Sequence, residues 1–363
     1  MTVQTYPVAH IDLTAIKHNL TRVKAFAPDS KVMSVIKANA YGHGDVEVAN
    51  ALTASDAFAV ARLSEGIHLR QAGIEKKIVI LEGIYTTDQL QRAAENDLSP
   101  VFHTTSQVVL LSEVELKKPL QFCWLMIETG MHRLGLAAPA IPSALLTLKS
   151  SQNIIGEIGL MSHFANADSQ GDDRNQQQLN KILQAQGSES EPISMANSAA
   201  IISLPDSHQQ WVRPGIMLYG SSPFYDKTAD DLNLKPVMIL TAQLISVEQV
   251  KVGDEVGYGG DWQATKDMKI GTVNIGYGDG YSRQCSNNSK VWIHNQLVNV
   301  LGRVSMDMMC IDLSSISQAE IGDEVILWGV EAVPIDNVAK QANTISYELL
   351  CQLNQRVTRQ YHG

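Results

Sequence analysis

One short stretch organises this sequence: Val35-Ile36-Lys37-Ala38-Asn39-Ala40-Tyr41-Gly42-His43-Gly44. The apolar run from 32 to 36 predicts a buried strand, and the two glycines around His43 predict a turn. Lys37 therefore stands where a strand leaves the core. A desolvated lysine gives up its proton more readily than a solvated one, as a Schiff-base amine must. The alternative is a lysine that merely extends from a strand end into solvent.

The composition is that of an ordinary globular protein. The chain has 363 residues, of which 44% are hydrophobic and 18% charged, and it is long enough for two domains. A net charge of -10 disfavours nucleic acid as a partner. The cysteines are scattered and form no CxxC pair, so we expect neither a metal site nor a disulfide framework, and a reducing cytoplasm is the natural location. The first thirteen residues show no leader pattern, and we expect no membrane association.

Strand-like and helix-like segments alternate from about residue 11 to about residue 220. This rhythm predicts a parallel (β/α)8 TIM-like barrel within residues 1–233, and an open doubly wound sheet is the alternative. Helices are predicted at 14–27, 64–72, 88–95 and 173–186. The eight predicted strands are Val32–Ile36, Phe58–Ala61, Ile78–Leu81, Leu98–Phe102, Phe122–Ile127, Ile158–Met161, Ile193–Met195 and Ile216–Tyr219.

The rhythm changes near residue 234. Close-spaced strand candidates separated by turns predict a mostly antiparallel β domain over residues 234–363. The polar stretch 227–235 is a plausible linker, and a helix is expected at roughly 346–361. The strand candidates are Val237–Val247, Lys269–Ile275, Lys290–Ile293, Leu297–Val300, Met308–Leu313 and Glu324–Leu327.

The segment Lys37-Ala38-Asn39-Ala40-Tyr41-Gly42-His43-Gly44 closely resembles the pyridoxal phosphate (PLP) attachment segment of bacterial alanine racemases. The resemblance implies that Lys37 carries PLP and that Tyr41 reaches its phosphate. A tyrosine at this place is otherwise more often a packing residue. Lys37 follows the first predicted barrel strand, and the active site of such a barrel lies at the carboxyl ends of its strands.

The segment after the fifth predicted strand, Glu128-Thr129-Gly130-Met131-His132-Arg133-Leu134-Gly135, resembles a second family segment. In the family, the arginine of this segment approaches the phenolic oxygen of the cofactor and the substrate. The resemblance implies the same role for Arg133. Many family members carry a lysine two residues before the acid, and its carbamate orients this arginine. This sequence has Met126 instead, so Arg133 must be held another way. We expect a bound anion such as chloride, or another side chain.

The predicted sixth and seventh strands end in further candidates. His163, in the segment 161–168, is a strand-end histidine that could simply be hydrogen-bonded, and the resemblance implies that its ring stacks on the pyridine. Ser198 is a good helix N-cap residue. Asn197 and Ser198 could also offer a phosphate polar groups where strand and helix meet, and phosphate sites in this fold commonly follow strands seven and eight.

The segment Val212-Arg213-Pro214-Gly215-Ile216-Met217-Leu218-Tyr219-Gly220 is a further strong match. The N–H groups of Gly215 and Ile216 could bind phosphate oxygens. Arg213 resembles the family arginine that hydrogen-bonds the pyridine nitrogen. Arginine stays charged and accepts no proton, so the nitrogen remains unprotonated and the cofactor is a weaker electron sink. That favours racemisation over transamination.

The second domain carries a candidate for the second acid–base group. The segment 256–262 resembles the one that holds the catalytic tyrosine of the family, here Tyr258. A racemase needs such groups on both faces of a planar intermediate, and Lys37 supplies one face. The resemblance implies that Tyr258 acts in the active site of a partner subunit, so that a homodimer shares its active sites.

Three more segments match the family, at 275–283, 302–307 and 346–348. The resemblance assigns Tyr277, Asp168 and Arg283 to the entrance of the site. Met306 and Asp307 lie near the substrate carboxylate, and Tyr347 bonds the phosphate.

Together these segments identify the chain as a member of the alanine racemase family. The implied activity is PLP-dependent, two-base interconversion of L-alanine and D-alanine, which supplies D-alanine for peptidoglycan. The alternatives are a racemase of broader specificity, an amino-acid decarboxylase on the same two-domain plan, and a non-catalytic PLP-binding protein. Decarboxylases tend to place a carboxylate opposite the pyridine nitrogen, so Arg213 argues against that alternative.

Overall fold

The structure, a computed structural model, describes residues 6–187, 190–287 and 289–363. Residues 1–5 lie outside the described residues. They belong to the N-terminal segment in which the sequence analysis expects no leader. The strands are β1 (Val8–Asp12), β2 (Lys31–Val35), β3 (Ala57–Val60), β4 (Lys77–Ile80), β5 (Leu98–Phe102), β6 (Leu120–Met126), β7 (Ile154–Met161), β8 (Ile193–Ser194), β9 (Trp211–Val212), β10 (Met238–Val250), β11 (Glu255–Val256), β12 (Trp262–Gln263), β13 (Met268–Val273), β14 (Lys290–Ile293), β15 (Gln296–Leu301), β16 (Met309–Asp312), β17 (Glu324–Trp328) and β18 (Thr358–His362).

The helices alternate with the barrel strands and return near the carboxyl end of the chain. A single helical turn, Lys37–Tyr41, follows β2 and is described with the site. The helices are α1 (Leu13–Phe26), α2 (Asp45–Ala51), α3 (Leu63–Gln71), α4 (Thr87–Glu95), α5 (Thr105–Glu113), α6 (Ile141–Ser150), α7 (Asp173–Gln186), α8 (Ser198–Ser203), α9 (Ile335–Gln341) and α10 (Ser346–Gln352).

Within the described ranges, eight parallel strands, β2 to β9, form a closed barrel. Closure occurs where β9 pairs with β2, with Trp211 opposite Lys31 and Val212 opposite Val32. Strands β3 and β5 are buried along their whole length, as expected for parallel strands that are covered on both faces. The barrel confirms the predicted fold class and excludes the open sheet.

Polar side chains at the strand ends start several helices. Asp12 begins α1 by accepting hydrogen bonds from the N–H groups of Thr14 and Ala15 at 2.7 and 2.9 Å. Thr104 caps α5 in the same way, by accepting from the N–H of Gln107. Such side chains satisfy backbone donors that have no partner inside the helix, so each helix begins close to the strand end before it.

A second, mostly antiparallel sheet has the strand order β13-β16-β15-β14-β17-β10-β1-β18. Strand β1 precedes the barrel in the chain, yet it pairs with β10 antiparallel and with β18 parallel. The sequence analysis did not predict β1 or β18. A continuous core of buried side chains extends from the barrel strands into this sheet.

The end of the chain packs directly on the turn after Lys37. The guanidinium of Arg359, in β18, donates from Nε to the carbonyl of Gly42 at 3.1 Å. A Cβ at Gly42 would lie 2.1 Å from the carbonyl oxygen of Leu350 in α10, and its φ is +82°. Only glycine fits this contact. The β domain therefore braces the turn that carries Lys37.

Two predicted elements are wrong. The segment Ile216–Tyr219 is a short 3-10 helix, and the eighth barrel strand is Trp211–Val212. The expected long closing helix ends at Gln352, and Thr358–His362 is a strand. In the parts of the chain that the structure describes, no helix combines the length and apolar character needed to cross a membrane.

Candidate active site

The backbone after Lys37 forms a left-handed turn. Four consecutive residues, Ala38, Asn39, Ala40 and Tyr41, have φ values of +53°, +55°, +50° and +53°. For residues with a Cβ this conformation costs roughly 1–2 kcal/mol each. Strain of this kind persists only where the surroundings impose it, and it concentrates at functional sites.

Side chains on both sides of the turn stabilise it. Glu65, in α3, accepts a hydrogen bond from the N–H of Ala38 at 2.7 Å. His43 is fully buried, and burial lowers its pKa to about 4, so its ring is neutral at neutral pH. Its Nδ1 lies 3.0 Å from the carbonyl oxygen of Ala40 and 2.9 Å from that of Tyr41. The single proton of the ring must therefore be on Nδ1, where it ties the turn to the segment that follows.

A cavity of about 600 Å³ opens at the carboxyl ends of the barrel strands. It lies where active sites of such barrels are found. The structure brings together here all ten residues that the sequence analysis assigned to cofactor binding. They are Lys37, Tyr41, Arg133, His163, Asn197, Ser198, Arg213, Gly215, Ile216 and Tyr347.

One end of the cavity presents hydroxyl groups and backbone donors. The hydroxyl of Ser198 accepts hydrogen bonds from the N–H groups of Gly215 and Met217 at 2.9 and 3.4 Å. Its own proton thus remains for a ligand. A Cβ at Gly215 would lie 2.6 Å from the hydroxyl oxygen of Tyr41. Glycine therefore allows the Tyr41 hydroxyl to approach the backbone, and these groups together suit an anion such as a phosphate.

Arg213 is a buried cation at the floor of the cavity. Its Nη1 donates to the hydroxyl of Ser194 at 2.7 Å, and its Nη2 contacts the carbonyl of Ser162 and lies 3.2 Å from Nδ1 of His163. Burial lowers the pKa of Arg213 to about 9, so it stays charged at neutral pH. Burial, and to a smaller extent the positive charge of Arg213, lowers the pKa of His163 to about 3. The imidazole is therefore neutral, and its Nδ1 can accept a hydrogen bond from the guanidinium.

The loop that carries Arg133 is organised by Glu128. The carboxylate of Glu128 accepts hydrogen bonds from the backbone N–H groups of Gly130 and His132. Met126 is buried and lines the cavity, and Arg133 is exposed. Within the described residues, no hydrogen bond or ion pair restrains the Arg133 guanidinium. The bound anion expected beside Arg133 stays a prediction.

Gln178 is a site residue that the sequence analysis missed. It lies in α7, is 2% exposed, and accepts a hydrogen bond from the N–H of Ala165 at 3.0 Å. Its Nε2 donates to the Thr129 hydroxyl at 3.1 Å and to the His163 carbonyl at 3.0 Å. One amide thus joins the loops that follow β6 and β7. A polar residue at a buried helical position was the only signal in the sequence.

The environment of Lys37 favours the neutral amine. Burial lowers its pKa, the positive charge of Arg133 lowers it further, and Cys351, Glu65 and Glu82 act in the opposite direction. Cys351, in α10, lines the cavity and was also missed. A neutral amine can add to a carbonyl group and can accept a proton.

Apart from Tyr347, the β-domain candidates do not line this cavity. Tyr258 is 71% exposed, Met306 53% and Tyr277 43%. Asp307 pairs with Arg356 at 2.7 Å. Arg283 and Asp168 are exposed, and Asp168 lies close enough to Tyr347 to help burial raise its pKa. The structure therefore gathers the cofactor-binding candidates in the cavity and leaves Tyr258 and the entrance candidates outside it.

The chain was compared with known proteins. The sequence profile described as "Alanine racemase, N-terminal domain" matches residues 11–223, and "Alanine racemase, C-terminal domain" matches residues 237–361. An alanine racemase of Vibrio parahaemolyticus is 43% identical over 353 residues, which are 97% of this chain and 98% of that protein.

Solved structures give the same result. The biosynthetic alanine racemase from Pseudomonas aeruginosa superposes with a TM-score of 0.94 at 41% identity, covering 99% of this chain and 100% of that one. The alanine racemase from Acinetobacter baumannii gives a TM-score of 0.91, also at 41% identity, with 99% and 100% covered. The similarity therefore includes both the barrel and the β domain.

Proposed function

The chain belongs to the alanine racemase family, and on that premise we propose that Lys37 and Tyr258 are its two acid–base residues, with Tyr258 acting in the cavity of a second copy. The protein is a PLP-dependent isomerase that interconverts L-alanine and D-alanine. In this family the product D-alanine is supplied for peptidoglycan. The observation that carries the assignment of residues is the cavity, which holds Lys37 and excludes Tyr258.

The residues of the cavity fit PLP. The hydroxyl groups of Ser198 and Tyr41 form a pocket of donors beside Gly215, where a Cβ would collide with the Tyr41 hydroxyl. This pocket suits the phosphate. Arg213 uses both Nη atoms within the protein, and no hydrogen bond from its Nε is found in the described part of the chain. The Nε–H group of Arg213 thus remains available to the pyridine nitrogen of PLP.

Lys37 holds the cofactor and then acts on the substrate. When bound, PLP supplies an electron-withdrawing ring that stabilises negative charge at Cα of the amino acid. The Nζ atom of Lys37 exchanges a proton with Cα on one face, and in the family this residue serves the D-enantiomer. Its lowered pKa suits this role, because a neutral amine accepts a proton readily.

The phenols and the imidazole of the cavity do not supply the second acid–base group. Burial raises the pKa values of Tyr41 and Tyr347, so both side chains keep their protons near neutral pH. The pKa of His163 is lowered to about 3 by burial and by Arg213, so this ring stays neutral. These three groups donate or accept hydrogen bonds but do not turn over a proton. We assign the second group to Tyr258, the residue at the position of the family's catalytic tyrosine.

The β domain gathers its motif residues on one exposed surface. The N–H of Tyr277 donates to the carbonyl of Ser305 at 3.0 Å, which joins the loops of Tyr277 and Met306. The Tyr258 loop is adjacent, since a Cβ at Gly302 would lie 2.6 Å from the carbonyl oxygen of Val256. An exposed surface of aromatic and Met side chains supports docking on a second copy. We propose a homodimer in which this surface closes the partner's cavity.

The location and the domain boundary are also proposed. All four cysteines are free thiols, which supports a reducing cytoplasm. We propose that residues 1–233 form the cofactor-binding part and residues 234–363 the part that contributes Tyr258. Strand β1 then belongs to the first part by sequence and pairs within the sheet of the second.

The activity and its anchor are tested together on the purified protein. We expect incubation of the PLP-loaded protein with L-alanine to yield D-alanine on chiral chromatography. Borohydride reduction should fix PLP on the peptide that contains Lys37, as seen by mass spectrometry. A panel of other amino acids and an assay for carbon dioxide accompany this experiment.

The outcomes separate the alternatives. D-alanine together with label on Lys37 supports the proposal. Equal rates for several amino acids would indicate a racemase of broader specificity, and release of carbon dioxide a decarboxylase. Label on any other lysine would overturn the assignment of Lys37.

A further inference from the structure

Glu65 connects two segments that meet below the cavity. It lies in the first turn of α3, which follows barrel strand β3. One oxygen, Oε1, accepts the N–H of Ala38 at 2.7 Å. The other, Oε2, accepts the N–H groups of Ala61 and Arg62, both at 2.8 Å. A single carboxylate thus joins the left-handed turn after Lys37 to the loop after β3.

The ionised carboxylate suits this position better than its amide. Three N–H groups point at two oxygens, and an ionised carboxylate has only acceptors. A glutamine would keep one oxygen and place an NH₂ group against the remaining N–H donors. Because hydrogen bonds to a charged group are stronger than neutral ones, the carboxylate can stabilise a turn whose residues have unfavourable φ values.

Glu65 also acts on Lys37 by its charge. The charged or titratable groups around Lys37 are Arg133 in the loop after β6, His163 after β7, Cys351 in α10, Glu82 after β4, and Glu65 itself. Burial and Arg133 favour the neutral amine, and the two glutamates favour the ammonium form. Glu82 is thus a second carboxylate within range of Lys37. It pairs with Arg62 at 3.7 Å, and among the described residues no hydrogen bond links its carboxylate to the turn.

We propose that Glu65 is a positioning residue for the reaction: its carboxylate holds the left-handed turn at Ala38, and thereby keeps Lys37 in the cavity. This inference rests on the proposed role of Lys37 as cofactor anchor and acid–base group. Glu65 is not among the residues that line the cavity. Its effect reaches the reaction through one backbone N–H and through its charge near the amine.

Three variants separate position from charge. Glu65→Gln removes the charge and one hydrogen-bond acceptor. Glu65→Asp keeps the charge, but its side chain is one methylene too short to reach Ala38. Glu82→Gln removes only a neighbouring charge. Each is prepared as holoenzyme and checked by its melting temperature. The readouts are amide hydrogen exchange of the peptide 36–44, the Kd for PLP, and the pH profile of racemisation in both directions.

We expect both Glu65 variants to speed exchange in 36–44 and to lower kcat/KM about 10- to 100-fold, because they lose a charged hydrogen bond. Glu82→Gln should leave exchange in this peptide at the wild-type rate. Loss of the charge in Glu65→Gln and Glu82→Gln lowers the pKa of Lys37. The acid limb of the D-to-L reaction, in which Lys37 is the base, then moves to lower pH. Glu65→Asp should not move it.

Unchanged exchange in 36–44 in both Glu65 variants would overturn the proposal. If Glu65→Gln fails to fold, Glu65→Asp decides it alone, since wild-type exchange there would show that the contact with Ala38 is not needed. If the wild-type protein carries no PLP on Lys37, the proposed function fails. The exchange readout still reports whether Glu65 holds the turn.

Discussion

The barrel and the β domain treat their functional residues in opposite ways. In the barrel, Arg213 is 4% exposed, and Ser194, Ser162 and His163 hold its guanidinium. In the β domain, Tyr258 is 71% exposed and lies outside the cavity. One region is complete within a single chain, and the other presents its residues to the surroundings.

This difference shows how the work of the site is divided. Binding a cofactor requires buried, fixed donors, and a closed barrel supplies them from one chain. A second acid–base group must approach the opposite face of the substrate, and the surface of another copy can deliver it. In the proposed dimer, buried residues such as Arg213 serve the cavity of their own chain, and the exposed Tyr258 serves the cavity of a neighbour.

The largest expected effect is on the barrel side. Lys37→Ala removes the cofactor anchor and one acid–base group together, so racemisation in both directions should fall at least about 10⁴-fold. Lys31, at the other end of the same strand, is the matched control, and Lys31→Ala should stay near the wild-type rate. Chiral chromatography of the products measures both. Substantial activity in Lys37→Ala would break the assignment of the barrel site.

Tyr258→Phe tests the β-domain side. We expect the rate of racemisation to fall about 10²- to 10⁴-fold, because phenylalanine lacks the hydroxyl group that would exchange a proton with the substrate. The Kd for PLP should change little, since the variant alters none of the residues that line the cavity. Tyr225→Phe, at a tyrosine that is 81% exposed, is the control and should be neutral. A comparable loss of PLP affinity would remove the contrast between the two regions.

Gln178→Ala tests whether the barrel site depends on its buried support. It removes the hydrogen bonds of Gln178 to the Thr129 hydroxyl, the His163 carbonyl and the Ala165 N–H, so the free energy of unfolding should fall by about 2 kcal/mol. The Thr129 hydroxyl keeps a second partner in Ser162. Gln176→Ala, on the exposed face of the same helix, should change it little. Chemical denaturation measures both. Equal stability of the two variants would contradict the role assigned to Gln178.

The last prediction concerns pH and His163. Its pKa is about 3 in the folded protein and roughly 6.5 in the unfolded chain, so between these values the unfolded state binds more protons. The neutral ring therefore stabilises the folded protein at neutral pH, and this stabilisation is lost as the pH falls. The free energy of unfolding decreases by at most ~1.4 kcal/mol per pH unit for this reason. His163→Gln should lack this pH-dependent part of the free energy of unfolding. His43, whose pKa is also lowered, is present in both proteins and contributes equally to both curves. Parallel stability curves from pH 7 to pH 4 would exclude it.

The barrel and its strand-end residues were predictable, because apolar runs separated by helices define a parallel barrel and its carboxyl end collects the side chains that follow each strand. Lys37 and His163 lie in the cavity for this reason, whereas Arg213 and Gly215 precede the predicted eighth strand and were assigned from the family resemblance. The eighth strand was misplaced because the apolar run Ile216–Tyr219 is buried in a 3-10 helix. Periodicity alone does not distinguish a short buried helix from a strand.

Other features depend on contacts between distant parts of the chain. Nothing in the residues Ala38, Asn39 and Ala40 indicates positive φ values, which are imposed by Glu65 and His43. Strand β18 forms because β1, from the opposite end of the chain, offers it an edge. Local sequence carries no signal for such pairings. The missed role of Gln178 has the same cause, since its three partners lie in two other loops.

The most direct measurement mixes two inactive proteins. Lys37→Ala and Tyr258→Phe are combined in equal amounts, dissociated and allowed to reassociate. If Tyr258 acts in the cavity of the other subunit, each mixed dimer has one intact site, and a random mixture of symmetric dimers should recover about one quarter of the wild-type activity. If Tyr258 acts in its own chain, every site lacks one residue and the mixture stays inactive. Recovery is the predicted result, and an inactive mixture that is shown to contain mixed dimers would contradict it.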